Sequence, residues 1–313
     1  MVDEDEANCH HILQGGEWDR ERWWYNTMKV CWRWQCLILT STSYLGLNLL
    51  CMFGTPVADI LVHSPHLPLV LDYLGRNPDT NISTKDEEQI MLALQLQNHM
   101  HHIHLWMPLV NFQKLIAAID GEFPTLEYLY MVPQRKHFQC LILPDTFRAP
   151  HLCHLILNTF SLSIISPLIT TTTCLVTLSL HSIAYFGPND LLQQLSILPQ
   201  LKTLRITFHS PIPHGDVDML LLHIQVLTHV TLSHLQWFGF WGANAYLEVL
   251  LPQMTTSPWE TQNVLLVSTH LFCPTPPAIH GCSTWPQALQ CKIHVLQWQG
   301  YCGCVLPSKH TTV

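Results

Sequence analysis

Leu126-Glu127-Tyr128-Leu129-Tyr130-Met131 and, 26 residues on, Leu152-Cys153-His154-Leu155-Ile156-Leu157 share one pattern: apolar, two variable, apolar, one variable, apolar. The same spacing starts at Met100 (Ile103, Leu105), Leu175 (Leu178, Leu180), Leu201 (Leu204, Ile206) and Leu227 (Val230, Leu232). Successive first positions are 26, 26, 23, 26 and 26 residues apart. Three copies enter through a proline two residues before the anchor: Phe123-Pro124-Thr125-Leu126, Ala149-Pro150-His151-Leu152 and Leu198-Pro199-Gln200-Leu201. A short unit returning at a nearly constant period cannot bury its apolar side alone, so it must stack on its neighbours.

Period and spacing are those of a leucine-rich repeat, so the expected fold class is α/β: an irregular leucine-rich-repeat-like solenoid with a short helical N-terminal module. Each copy would supply a short parallel strand and a returning helix. The segments between copies agree. Phe112, Leu115, Ile116 and Ile119 have helical spacing. Asn189 after Pro188 reads as a helix N-cap, and Thr84-Lys85-Asp86-Glu87 reads as a capping box opening a helix through Ile90 and Leu94. The asparagine that usually ends each such strand is missing, so other groups must satisfy the turn carbonyls.

Strand alternation predicts which side chains leave the leucine core. One column is His102, Tyr128, His154, Thr177, Thr203 and His229; the next runs His104, Tyr130, Ile156, Ser179, Arg205 and Thr231; a third begins at Trp106. His102, His104, Trp106, Tyr128, Tyr130, His154, Arg205 and His229 are the expected partner-binding face. Aromatics, imidazoles and hydroxyls suit a protein partner. The alternative is a sheet face covered by a neighbouring segment.

Composition bounds the function. Of 313 residues, 48% are hydrophobic and 12% charged, with a net charge of −8, which excludes a disordered chain and argues against nucleic-acid binding. Residues 35–58 and 150–189 lack Asp, Glu, Lys and Arg. Thr40 to Ser43, Asn48, Pro167 and Thr170 to Thr173 make both poor membrane spans, and no membrane partner is expected. The acidic start Asp3-Glu4-Asp5-Glu6 is not a secretory n-region, so a cytoplasmic or nuclear location with reduced cysteines is expected.

The string Val30-Cys31-Trp32-Arg33-Trp34-Gln35-Cys36-Leu37-Ile38 resembles the last helix of an F-box. With Gly54-Thr55-Pro56-Val57-Ala58-Asp59, Asp120-Gly121-Glu122-Phe123-Pro124 and His229-Val230-Thr231-Leu232, residues 29–256 resemble the large fungal family of F-box proteins with a leucine-rich-repeat-like domain. The F-box is partial, because residues 1–28 contain no Leu-Pro. The resemblance implies a substrate-recognition adaptor of a cullin-type ubiquitin ligase. Val30, Trp34 and Leu37 would meet a Skp-type adaptor, and the repeats would bind a protein substrate. The domains expected are 1–60 (partial F-box-like, helical), 61–260 (solenoid) and 261–313 (a divergent Cys/Pro-rich tail, poorly ordered).

Two other readings stay open. One is a repeat interaction module or decayed gene copy without ligase docking. The chain has 7 Arg beside 21 His and 12 Cys, residues that single transitions in arginine codons produce. The other is a metal-binding protein using the cluster His99, His101, His102 and His104 with the cysteine-rich tail. No C-x-x-C occurs, so no metal ligand or cofactor is assigned. G-x-G-x-x-G, G-x-S-x-G and H-E-x-x-H are also absent, and no enzyme is expected.

Overall fold

The computed structural model describes residues 30, 31, 33, 34, 37, 48–58, 61, 67–74, 82–134, 141–161, 167–184, 186–209, 228–256, 263–266 and 293–295. The protein is mixed α/β, and every strand pairing among the described residues is parallel. It divides into two compact units, Met1–Leu178 and Ser179–Val313. The division falls inside a strand, Thr177–Ile183.

In the first unit, β1 (Leu49–Cys51), β2 (Leu69–Leu74), β3 (Met100–Met107), β4 (Tyr128–Pro133) and β6 (His154–Asn158) lie side by side in that order. Two short strands, β5 (Leu141–Ile142) and β7 (Phe160–Ser161), make a separate pair. The helices are α1 (Thr84–Leu94), α2 (Leu109–Ile116) and α3 (Pro167–Thr170). Register aligns Leu71, Ile103, Leu129 and Leu155 in one row and Tyr73, Leu105, Met131 and Leu157 in the next, all buried. The anchors Met100, Leu126 and Leu152 are buried as well. Parallel pairing needs a crossover between strands, and the 26-residue period supplies the length for one.

Local chemistry sets the helix ends. Ser83 caps α1: its hydroxyl accepts from the Asp86 N–H at 3.1 Å and donates to the Asp86 carboxylate at 2.6 Å. The expected box at Thr84 is thus corrected by one residue. α1 buries Ile90, Ala93 and Leu94, and α2 buries Leu109, Phe112 and Leu115. Lys114 of α2 reaches Glu87 of α1 at 2.8 Å. The turn carbonyls that asparagines would meet elsewhere have other donors here. Thr125 Oγ1 bonds Met100 O (3.0 Å), Gln134 Nε2 bonds Trp106 O (3.3 Å) and Thr172 Oγ1 bonds Ala149 O (3.1 Å).

β1 lies within the segment expected to be helical. Leu49, Leu50 and Cys51 are all buried against β2, and this burial on both faces suits a strand of a parallel sheet. Arg33, Trp34 and Leu37 do have helical backbone.

The second unit holds α4 (Pro188–Ser196), β9 (Thr203–Phe208), β10 (Val230–Leu232), β11 (Trp237–Trp241), α5 (Asn244–Leu250), β12 (Met254–Thr256), β13 (Asn263–Leu266) and β14 (Ile293–Val295). Strand β8 (Thr177–Ile183) carries the division between units. β9, β11, β13 and β14 are neighbours in that order. Two short stretches within residues 261–313, Asn263–Leu266 and Ile293–Val295, are strands.

The sixth repeat copy departs from expectation. Leu227 lies outside the described residues. Val230 and Leu232 are buried, but β10 pairs with β12 and not with β9. The strand beside β9 is β11, whose Phe238 and Phe240 fill the positions next to Leu204 and Ile206. Two aromatics provide more apolar area than Val and Leu, so the Trp-Phe-Gly-Phe-Trp alternation takes the core position. Asn189 does not cap α4 either. Gly187 is the N-cap and Pro188 takes the first turn, where its missing N–H costs nothing, while Asn189 Oδ1 accepts from Thr228 at 2.9 Å.

No helix among the described residues is long and apolar enough to cross a membrane. The described cysteines Cys31, Cys51, Cys153 and Cys174 are free thiols.

Candidate functional site

The first two variable positions of each repeat do not obey simple alternation. Leu69 pairs with Met100 and Val70 with His102, so His101 is an extra residue on β3. Met100 and Ile103 both point into the core. The bulge therefore sends two consecutive side chains, His101 and His102, off the leucine face together. The next copy repeats the arrangement: Leu126 and Leu129 are buried while Glu127 and Tyr128 leave the core. Backbone bonds from Glu127 N to His101 O (2.9 Å) and from Cys153 N to Glu127 O (2.8 Å) carry one outer row across the sheet.

His101, His102 and Glu127 converge on this rim. One potential ligand atom from each lies within 4.8 Å of the other two, and His101 Nε2 is 3.7 Å from Glu127 Oε1. No other such group occurs among the described residues. The His101 side chain is 29% exposed and that of Glu127 is 49% exposed. The His102 ring lies 5.6 Å from the ring of His101 and 5.8 Å from Tyr128, which also touches His154 at 5.7 Å. Burial lowers the His102 pKa to about 4, helped by His101 and opposed by Glu127. Burial lowers His154 too, with Glu127 again opposing.

Of the four clustered histidines, His101 and His102 converge with Glu127, and His104 does not. His104 is fully buried, its Nδ1 3.5 Å from Asp72 Oδ1 and its ring edge-on to Tyr130 at 4.3 Å. Of the expected partner-binding face, His104 and Tyr130 are buried, and His102, Trp106, Tyr128 and His154 are half-buried. In the second unit Arg205 is half-buried opposite Gly239, and exposed His229 precedes β10. The Trp237 ring covers Gly239 so closely that an added Cβ would sit 2.3 Å from it.

Val30, Trp34 and Leu37 precede β1 in the chain and are exposed. Their exposures are 69%, 50% and 55%, among the highest of the large apolar side chains described. Trp34 and Leu37 have helical backbone and, three residues apart, share a face, while Val30 lies in a turn ahead of them.

His181, in the second unit, receives or gives a 2.8 Å hydrogen bond to Ser179 Oγ. Desolvation, with Arg205 nearby, lowers its pKa from 6.5 to about 3. Above about pH 6.5 the imidazole is neutral whether folded or unfolded. Below that, only the unfolded chain gains the proton, so stability falls between about pH 6.5 and pH 3, on the order of 1 kcal/mol per pH unit. Urea midpoints at pH 7.5, 6 and 4.5 measure this loss, and His181→Gln flattens it by one proton's worth. An unchanged slope contradicts the assignment.

Comparison with protein-family models, with curated proteins and with solved structures finds no match in any of the three.

Proposed function

We propose that this protein is a binding adaptor, one that joins a protein substrate to a cullin-type ubiquitin ligase and performs no chemistry of its own. In this reading Val30, Trp34 and Leu37 dock on a Skp-type adaptor. The half-buried face around His102, Trp106, Tyr128 and His154 receives the substrate. The work would take place in the cytoplasm or nucleus.

The observation that carries this reading is the exposed apolar set at 30, 34 and 37. A helix keeps its apolar side toward its own core unless something else covers it, and the i, i+3 spacing of Trp34 and Leu37 is one by which a helix presents anchors to a groove. Tryptophan at the centre of such a set is the usual energetic hot spot. The F-box-like string places these residues at the positions that the family resemblance assigns to docking.

Capture of a Skp-type adaptor by the full-length chain tests the proposal. The double variant Trp34→Ala/Leu37→Ala is expected to bind at least roughly tenfold more weakly. Its unfolding free energy should stay within about 0.5 kcal/mol of the parent, because both side chains are half or more exposed. Equal capture by parent and variant contradicts the docking residues, and no capture by the folded parent contradicts the ligase role.

A further inference from the structure

We propose that His101, His102 and Glu127 bind a divalent transition-metal ion of the zinc type. The site goes beyond the adaptor reading and does not depend on it. Its geometry follows from the bulge on β3, which places two adjacent imidazoles on one side, and from the parallel register, which brings the Glu127 carboxylate beside them. Ligand atoms around a tetrahedral zinc with bonds of about 2.0–2.1 Å stand about 3.3 Å apart. The 3.7 Å between His101 Nε2 and Glu127 Oε1 is close to that edge already. The remaining ligand atom lies within 4.8 Å of the other two and must draw closer to them when the ion binds.

The surroundings hold the ligands in place. The His102 ring makes tilted contacts with the rings of His101 and Tyr128, at interplanar angles of 46° and 60°. The Glu127 backbone is held on both sides, its N–H by His101 O and its carbonyl by the N–H groups of Cys153 (2.8 Å) and His154 (3.0 Å). Two imidazoles and one carboxylate favour zinc, nickel, cobalt or copper over calcium or magnesium, which prefer oxygen donors. Exposure of His101 and Glu127 leaves the other coordination positions open to water and gives the ion a path in. Bound there, the ion ties the start of β3 to the start of β4.

Cobalt(II) titration of the reduced, chelator-stripped full-length chain tests the site, because cobalt spectra distinguish nitrogen–oxygen from thiolate ligands. The expected result is one ion bound with visible d–d bands free of thiolate charge transfer. Glu127→Gln and His101→Ala, both at exposed or half-exposed positions, should each weaken it by at least roughly tenfold, since even loss of an outer-shell partner costs about that much. His151→Ala, an exposed histidine outside the cluster, should leave affinity unchanged. Three outcomes overturn the proposal: no binding at about millimolar cobalt, a thiolate spectrum, or unchanged affinity in folded Glu127→Gln and His101→Ala.

Discussion

Replacing Phe123 by alanine lowers the unfolding free energy by about 3–5 kcal/mol. Phe123 is fully buried and meets Phe147 edge to face at 5.3 Å between centroids. Its N–H bonds Arg148 O at 2.8 Å, and Arg148 N–H returns a 3.0 Å bond to Gly121 O. These paired bonds hold the lead-ins of two successive repeats together, so the backbone cannot collapse into the space the ring leaves. A cavity that cannot close costs both the lost transfer energy and the lost contacts. Phe123→Leu refills most of the volume and should cost less than half as much. Val110→Ala, at a 62% exposed position, should change the unfolding free energy by no more than about 0.5 kcal/mol. Urea unfolding followed by circular dichroism gives all three, and a loss under about 1 kcal/mol for Phe123→Ala contradicts the packing.

Phe208→Ala is expected to cost about as much, roughly 3–5 kcal/mol, in the second unit. Its ring meets three others: Tyr246 at 5.0 Å, Phe186 at 5.6 Å and Phe240 at 5.8 Å. Edge-to-face pairs add roughly 0.5–1.5 kcal/mol each beyond the area they bury, and alanine removes three of them at once. Gly242 shows how tightly the cluster is filled. A Cβ there would lie 2.6 Å from a Phe208 ring carbon and 2.8 Å from one of Phe240. Gly242→Ala should therefore destabilise by about 1–3 kcal/mol through overpacking. A Phe208→Ala protein with parental stability would mean that these rings do not share a core.

The strands of the first five repeat copies were legible because each uses one rule. Leucine or its equivalent at the first, fourth and sixth positions is buried in every copy from Met100 to Ile206. The sixth copy misled because Val230 and Leu232 also satisfy the rule and are also buried. A one-dimensional pattern cannot say which neighbour a strand pairs with, and the aromatic strand Trp237–Trp241 had no leucine spacing to announce it. β1 and β2 were missed for a related reason. Leu69-Val70-Leu71-Asp72-Tyr73 is buried at every position, so it has no period to detect.

The histidine cluster was half legible. His101 and His102 stood out by composition, but strict alternation put only His102 in the outward columns, with His104 in the next, and left His101 unplaced. Two variable residues between buried anchors cannot alternate, since both anchors face the core. That constraint is present in the L-x-x-L spacing and puts both histidines outward. Glu127 occupies the same position one period after His101, so register alone would have named it.

The most direct test of the adaptor reading is the dissociation constant between the purified full-length chain and a purified Skp-type adaptor, measured by titration calorimetry. The account predicts a one-to-one complex with a constant of about 1 µM or tighter, raised at least roughly tenfold by Trp34→Ala/Leu37→Ala. A folded chain showing no heat of binding at about 100 µM adaptor, or a variant that binds as well as the parent, would contradict it.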